Sequence, residues 1–352
     1  MPVQIVGIMI PCITESKLKQ FKALVDGAQK VTVVSHTHPD GDALGSSAAL
    51  GAYLSICLGK DTVCIVPDTP PDSISFIIPQ TVPYIFASSA IEAAEKRILD
   101  SDLLILIDLN RLSRTEALEN CIRKSSSTKV LIDHHLGPEE EAFNLIFTTP
   151  DISSASELLY WMLRSLAGPA ENIPAEAREA HCAGMTTDTN NFANSVFPST
   201  FTMASELIAS GTDRNAIIAR LYNQYRENRI RLMGWMQSHE MIITSECAAR
   251  MILTKEIQDR FGYREGEAEG LVNVPLAIAA VKLSILLTQH DDCMRVSIRS
   301  KQGTSARDLA MRWFNGGGHE NAAGGKLVFG VDIPDAAAAD AYVESALKAF
   351  LG

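Results

Sequence analysis

Apolar side chains fall along this chain in short blocks separated by polar or periodic stretches. Residues 31–34, 62–66, 103–107 and 129–132 are runs dominated by Val, Ile and Leu, the pattern of strands buried on both faces. Between them, residues 15–29, 43–58, 91–99 and 116–124 read as helices, that at 43–58 rich in small residues suited to close packing on a sheet. Strand alternating with helix predicts a parallel sheet, with the unbroken run at 103–107 near its centre. Residues 176–183, 200–209, 214–222 and 227–241 continue as helices. Strands return at 250–254, 281–289, 294–300 and 324–329, with Asp291-Asp292 turning a hairpin, a helix at 305–314 and an alanine-rich helix at 334–351. The expected organisation is α/β with two domains: a larger parallel-sheet domain over 1–210, a helical linker over 211–247, and a smaller mixed α/β domain over 248–352. The linker is either a hinge or a rigid packed spacer.

The polar residues of interest stand where strands stop. After residues 31–35 come His36, Pro39, Asp40, Gly41 and Asp42. Pro39 stiffens the loop, Gly41 permits a tight turn, and Asp42 falls where a helix N-cap is expected. His36 and Asp40 can chelate one ion while Asp42 points to a neighbouring one; the alternative is an ordinary capped turn with a surface histidine. Asp108 directly follows the central strand and is either a ligand at the carboxyl edge of the sheet or a helix cap. Arg111 and Arg114 come next; both can contact phosphate, and Arg111 is equally a solvated charge. Residues 129–132 end in Asp133-His134-His135, where one imidazole can bind metal, the other face substrate, and Asp133 orient a ligand histidine. Thr187 and Thr189 can bond the local backbone and hold Asp188 outward, or simply close a helix in a polar turn. The Pro- and Asp-rich loop at 67–83 either borders this site or crosses the surface.

Length and composition narrow the class. The chain has 352 residues, 46% hydrophobic and 21% charged, ordinary for a globular protein and long enough for two domains. No apolar run is long enough to span a bilayer, and the apolar start lacks a basic leader and a small-residue cleavage site, so a cytoplasmic location and no membrane partner are expected. Seven scattered cysteines without a C-x-x-C spacing argue against a disulfide framework and a zinc–thiolate site. A net charge of -11 disfavours long nucleic acid as the main partner but permits a short anion in a local basic pocket.

Taken in order, the stretch from His36 to Ser46, the lone Asp108, the Asp133-His134-His135 triplet and Thr187-Asp188-Thr189 resemble the four motifs of the DHH phosphoesterase superfamily. Arg299-Ser300 and the run from Asn315 through Gly316-Gly317-Gly318-His319 to Gly325 resemble the signature of its DHH-associated C-terminal domain. The resemblance implies two divalent ions, usually manganese, with His36, Asp40 and Asp108 holding one and Asp42, Asp108, His134 and Asp188 the other. Asp108 then bridges, and His135 lies beside the substrate. Mixed carboxylate and imidazole donors suit Mn²⁺, with Mg²⁺, Co²⁺ and Fe²⁺ as alternatives. The family pattern usually reads TDTG, whereas Asn190 stands here in the glycine position; asparagine tolerates the left-handed backbone the turn needs.

In the second domain, glycines 316 to 318 let backbone N–H groups converge on an anion, so Gly317, Gly318, His319 and Arg299, with Arg114 of the first domain, are the expected substrate contacts. The resemblance places the active site in the cleft between the domains, and two ions there can activate a water for in-line displacement. Asp108 and His135 are the expected catalytic residues. Likeness to the small nanoRNase/pAp phosphatases points to release of 5′-nucleotides from short RNA oligonucleotides and of phosphate from 3′-phosphoadenosine 5′-phosphate (pAp). Short RNA or small nucleotides are the expected partners, together with a second copy of the chain in a homodimer. An exopolyphosphatase is the nearest alternative, and a non-hydrolysing nucleotide sensor the alternative from another class.

Overall fold

The computed structural model describes residues 2–5 and 7–352. An antiparallel pair, β1 (Pro2–Ile5) and β2 (Ile8–Thr14), leads into α1 (Glu15–Gly27), which Thr14 caps by accepting from the Lys17 amide. The expected alternation follows: β3 (Lys30–Val34), α2 (Gly41–Ala52), β4 (Asp61–Val66), β5 (Tyr84–Phe86), α3 (Ala87–Leu99), β6 (Leu103–Ile107), α4 (Glu119–Lys124), β7 (Thr128–Asp133) and β8 (Leu145–Thr148). These six strands from β3 to β8 form one parallel sheet in the order β5-β4-β3-β6-β7-β8.

The central run splits its side chains between the two faces. Leu103, Ile105 and Ile107 join Val31, Val33 and Leu44 in one core, while Leu104 and Leu106 meet Val34, Ala94, Ile98 and Ile122 in the other. Both faces are dry, which is why the strand is apolar at every position. From β3 the chain steps outward to β4 and β5, then returns to the opposite side at β6. The carboxyl ends of β3 and β6 therefore flank the topological switch point, where open parallel sheets leave a crevice.

Four further helices complete the first unit: α5 (Ala155–Ala167), α6 (Ala175–Asp188), α7 (Pro198–Ala209) and α8 (Arg214–Tyr222). Every side chain of α5 from Ala155 to Leu163 is buried, the polar Ser156 and Glu157 included.

Two compact units divide the chain, Met1–Gln224 and Tyr225–Gly352. The second comprises α9 (Glu227–Trp235), β9 (Ile242–Ile243), β10 (Ala248–Leu253), α10 (Lys255–Phe261), β11 (Leu283–Gln289), β12 (Cys293–Ser300), α11 (Ala306–Trp313), β13 (Gly317–His319), β14 (Ala322–Val328) and α12 (Ala339–Leu351). Its sheet runs β13-β14-β12-β11-β10-β9, with β10 and β11 parallel and the remaining pairs antiparallel. Helices α11 and α12 cover one face through Leu309, Phe314, Val343 and Leu347. On the other, Leu232 and Met236 pack with Met251 and Leu253. Among the described residues no helix is long and apolar enough to cross a membrane.

Candidate metal centre

The crevice at the carboxyl edge of the first sheet is built around Asp108. β6 delivers it with φ +58°, a left-handed conformation that a non-glycine residue holds only where its surroundings fix it, and its amide donates to Ile132 O at 3.0 Å. The side chain is 2% exposed, and its two oxygens face different ways. Oδ2 lies 3.3 Å from His36 Nε2, and Oδ1 lies 3.4 Å from His134 Nε2. His36 donates from Nδ1 to its neighbour's carbonyl, Thr37 O, at 2.7 Å, which leaves Nε2 as the free donor atom aimed at Asp108. Asp40 Oδ1 stands 4.0 Å from that same nitrogen. On the other side, His134 Nε2 is 3.6 Å from Asp188 Oδ2 and 4.0 Å from Asp42 Oδ2. Donor atoms of His36, Asp40 and Asp108 lie within 4.8 Å of one another, as do those of Asp42, His134 and Asp188, and those of Asp108, His134 and His135.

Helix packing brings these groups together. α2 and α6 cross so closely that a Cβ on Gly41 would collide with Thr187, while one on Gly184 of α6 would strike Ser156 of α5 and stand 3.0 Å from Asp42 Oδ1. Gly41 is thus required for the approach of α6; it is the first residue of α2 and makes no left-handed turn. The cap also differs from expectation: Asp40, whose Oδ1 accepts from the Asp42 and Ala43 amides at 3.0 Å each, is the N-cap. Asp42 instead sits inside the first turn and reaches across to the start of α5, accepting from Ala155 N at 2.7 Å and Ser156 N at 2.9 Å. The positive end of α5 thereby holds a buried carboxylate. That helix is itself fixed by Ser154, which caps it, and by the fully buried Glu157, which accepts from Ser153 N, Trp161 Nε1 and the Thr200 hydroxyl at 3.1, 3.2 and 2.7 Å.

The electrostatics call for a cation. Burial, then the nearby Asp108 and Asp188, push Asp42 well above the usual carboxylate range, and burial raises Asp188 to about 7. Burial alone would depress His134, but Asp108, Asp188 and Asp42 outweigh it and hold the imidazole at about 10. Burial works the other way on Asp108, yet the flanking His134 and His36 keep it ionised. Oδ1 of Asp108 is buried and makes no well-formed hydrogen bond among the described residues, with only His134 Nε2 and His135 Nδ1 facing it at 3.4 and 3.8 Å, which suits a shared ion as well as an ion pair. The donor set of oxygen and imidazole, with no thiolate, fits a hard or borderline divalent ion.

Beside this cluster, Asp133 accepts from His135 N at 3.0 Å and from His135 Nδ1 at 2.7 Å. It therefore orients His135 and not the candidate ligand His134. His135 Nε2 lies 3.3 Å from Arg114 Nη1, which also donates to Asp108 O. Arg111 is exposed. The loop at 67–83 does border the site, because Asp68 accepts from His38 N at 2.7 Å and from the Thr37 hydroxyl.

In the second unit, Arg299 lies on β12, pairs across to Ala322, and donates to Ile298 O at 2.9 Å. Burial pushes its guanidinium below the ordinary arginine value. The glycine run is no open loop: Gly317 and Gly318 pair with Gly324 and Ala323 as edge strand β13, and the Gly316 amide donates to Ala310 O. A side chain at Gly316 would strike the Gly324 carbonyl, so this glycine serves close strand packing. The side chain of His319 lies outside the described residues.

Comparison with known proteins agrees with this frame. Residues 30–185 match the model of the DHH family, N-terminal domain, and residues 247–348 match the DHHA1 domain. The crystal structure of an exopolyphosphatase-related protein from Bacteroides fragilis superposes with a TM-score of 0.89 at 33% identity, over 97% of this chain and 98% of that one. The chain belongs to the DHH phosphoesterase family. It is a hydrolase, which sets aside the non-hydrolysing sensor. Bifunctional oligoribonuclease and PAP phosphatases NrnA from Bacillus subtilis and Thermus thermophilus are each 27% identical, covering 84% and 87% of this chain and 89% and 86% of theirs. RecJ from Thermus thermophilus, in complex with Mn²⁺, shares the fold at 17% identity with a TM-score of 0.56, over 95% of this chain and 54% of that one.

Several working parts of this DHH phosphoesterase escaped sequence reasoning. The α5 amides that hold Asp42 are backbone groups with no sequence mark, and Glu157 lies in an apolar stretch where a lone acid gives no periodic signal. Arg214 is distant in sequence from the Thr187-Asp188-Thr189 motif, yet its guanidinium donates to Asn191 Oδ1 and lies 5.3 Å from the Phe192 ring centroid. Asn190 does adopt the left-handed backbone, at φ +47°.

Proposed function

We propose that this DHH phosphoesterase hydrolyses short oligoribonucleotides to 5′-nucleotides and pAp to AMP. The observation that carries the reading is the split of Asp108: one buried carboxylate whose two oxygens address two separate histidine–aspartate groups 3.3 and 3.4 Å away. In this reading His36, Asp40 and Asp108 hold one divalent ion, and Asp42, Asp108, His134 and Asp188 hold a second. Two such ions, Mn²⁺ by preference, supply an activated water and neutralise a phosphate oxygen. The chain's own groups do the rest. His135, locked by Asp133 through Nδ1, presents Nε2 beside Arg114 to bind the phosphate or protonate the leaving oxygen. Arg299, Gly317, Gly318 and His319 are the second unit's proposed substrate contacts.

The substrate class rests on the names of the NrnA relatives. The Bacteroides fragilis structure, described as exopolyphosphatase-related and more similar in sequence, favours polyphosphate as the second reading. Purified protein with Mn²⁺ distinguishes them on a matched panel of pAp, the dinucleotide pApA, a five-nucleotide RNA, a long RNA and polyphosphate. Rapid release from the short nucleotides with little action on long RNA is expected; preference for polyphosphate reverses the assignment with the same metal site.

A further inference from the structure

Immediately after Asp188 the backbone does something unusual. Asn190, Asn191 and Phe192 all have positive φ, at +47°, +56° and +68°, and for a bulky aromatic residue this is a true outlier. The turn is held in place by Thr189, whose hydroxyl accepts from Phe192 N at 3.0 Å, and by Arg214, which donates to Asn191 Oδ1. The strain has a visible product. It lays the Phe192 ring parallel to that of Phe201, with centroids 5.4 Å apart and planes 15° from coincidence, and brings the Arg214 guanidinium to 5.3 Å from the Phe192 centroid.

Phe201 is 54% exposed, although it belongs to a firmly anchored helix. α7 is tied down one residue earlier by Thr200, whose hydroxyl accepts from Phe197 N and donates to the buried Glu157. A large exposed ring on a rigid element, stacked on a second ring whose own neighbour is a guanidinium, has no use in the core. Four residues of chain span at most about 14 Å, so Phe192 stays within that distance of Asp188. Phe201 stacks on that ring, so the platform adjoins the segment that follows the candidate ligand Asp188.

We propose that Phe201, backed by Phe192 and Arg214, is a stacking subsite for the nucleobase of a short oligonucleotide, and that it makes the enzyme prefer base-bearing substrates. Aromatic rings stack any base face, and Arg214, by holding Asn191 and the Phe192 ring, fixes the ring that backs Phe201. The inference rests on the oligonucleotide reading given above. It adds a subsite in the first unit that the metal ligands do not require.

The test compares pApA with its analogue lacking the base distal to the scissile phosphate, each with Mn²⁺-loaded protein. The wild-type chain is expected to favour pApA, and Phe201→Ala to raise KM for pApA about 10- to 100-fold, erasing that preference. Phe201→Tyr is expected to restore it, because the ring returns. Melting curves of the exposed-site variants check folding. A preference unchanged in Phe201→Ala, or its loss in Phe201→Tyr as well, overturns the subsite. Wild-type protein inactive on pApA but active on polyphosphate overturns the oligonucleotide reading and the subsite with it.

Discussion

The two units spend their buried polar groups in opposite ways. In the first, four carboxylates, Asp40, Asp42, Asp108 and Asp188, surround the imidazoles of His36 and His134 at the carboxyl edge of a parallel sheet. In the second, the motif residues lie on the edge of a mixed sheet, where Gly317 and Gly318 use backbone pairing and Arg299 is the lone cation of the signature. A site short of positive charge suits metal-assisted chemistry; a glycine edge with one guanidinium suits holding an anion. The difference teaches that the family's motifs divide into those that must be buried and those that must leave backbone accessible.

The sharpest way to break this comparison is Asp108→Asn. Both ion positions lose the shared carboxylate, so turnover is expected to fall by about 10³-fold or more, with Mn²⁺ affinity falling in calorimetry. Retained activity with normal Mn²⁺ binding ends the bridging role. Arg299→Ala tests the other unit: KM for short nucleotides is expected to rise about 10- to 100-fold with kcat and Mn²⁺ binding little changed. If metal binding falls in that variant, the division of labour is wrong.

A smaller effect sharpens the packing argument. Gly184→Ala drives a methyl group toward Ser156 and Asp42, and is expected to cost about 1–3 kcal/mol of stability and to weaken Mn²⁺ binding. A normal melting temperature would show that α6 can move away from Ser156 of α5 and Asp42 of α2 freely. An effect of similar size concerns His181, buried behind the site, where Nδ1 donates to Ser156 O at 3.0 Å and burial pushes the imidazole down to about 3. The unfolded chain takes up this proton near pH 6.5 and the folded one does not. Stability from this group is therefore complete above pH 6.5 and declines as pH falls toward 3, by about 1.4 kcal/mol per unit. Urea titrations at pH 7 and 5 should show a shallower acid loss in His181→Gln, and an identical slope in both proteins would contradict the burial argument.

Much of the frame was legible because it depends on local pattern. Apolar runs of four or five residues between helices can only be the inner strands of a parallel sheet, and polar residues at their carboxyl ends fall at its ligand-binding edge. His36, Asp40, Asp42, Asp108 and His134 stand at those positions, whereas Asp188 follows a helix and the division into two ligand sets comes from the family resemblance. Short edge strands such as Tyr84–Phe86 were not legible, since three residues carry no period.

Tertiary structure decided everything that depends on two segments meeting. Sequence placed Asp133 beside two histidines but could not say which ring it would bond, because that turns on strand-end geometry; it bonds His135. It marked Gly41 as a turn residue, whereas the approach of Thr187 from a distant helix sets the requirement. It read the glycine run at 316–318 as an anion loop, and pairing with residues 322–324 made it a strand. Residue types and their order determine which chemistry this chain can perform, since ligand identity is a property of single side chains. Which oxygen faces which nitrogen, and which backbone amide holds a carboxylate, follow only from packing, since those distances join residues far apart in the chain.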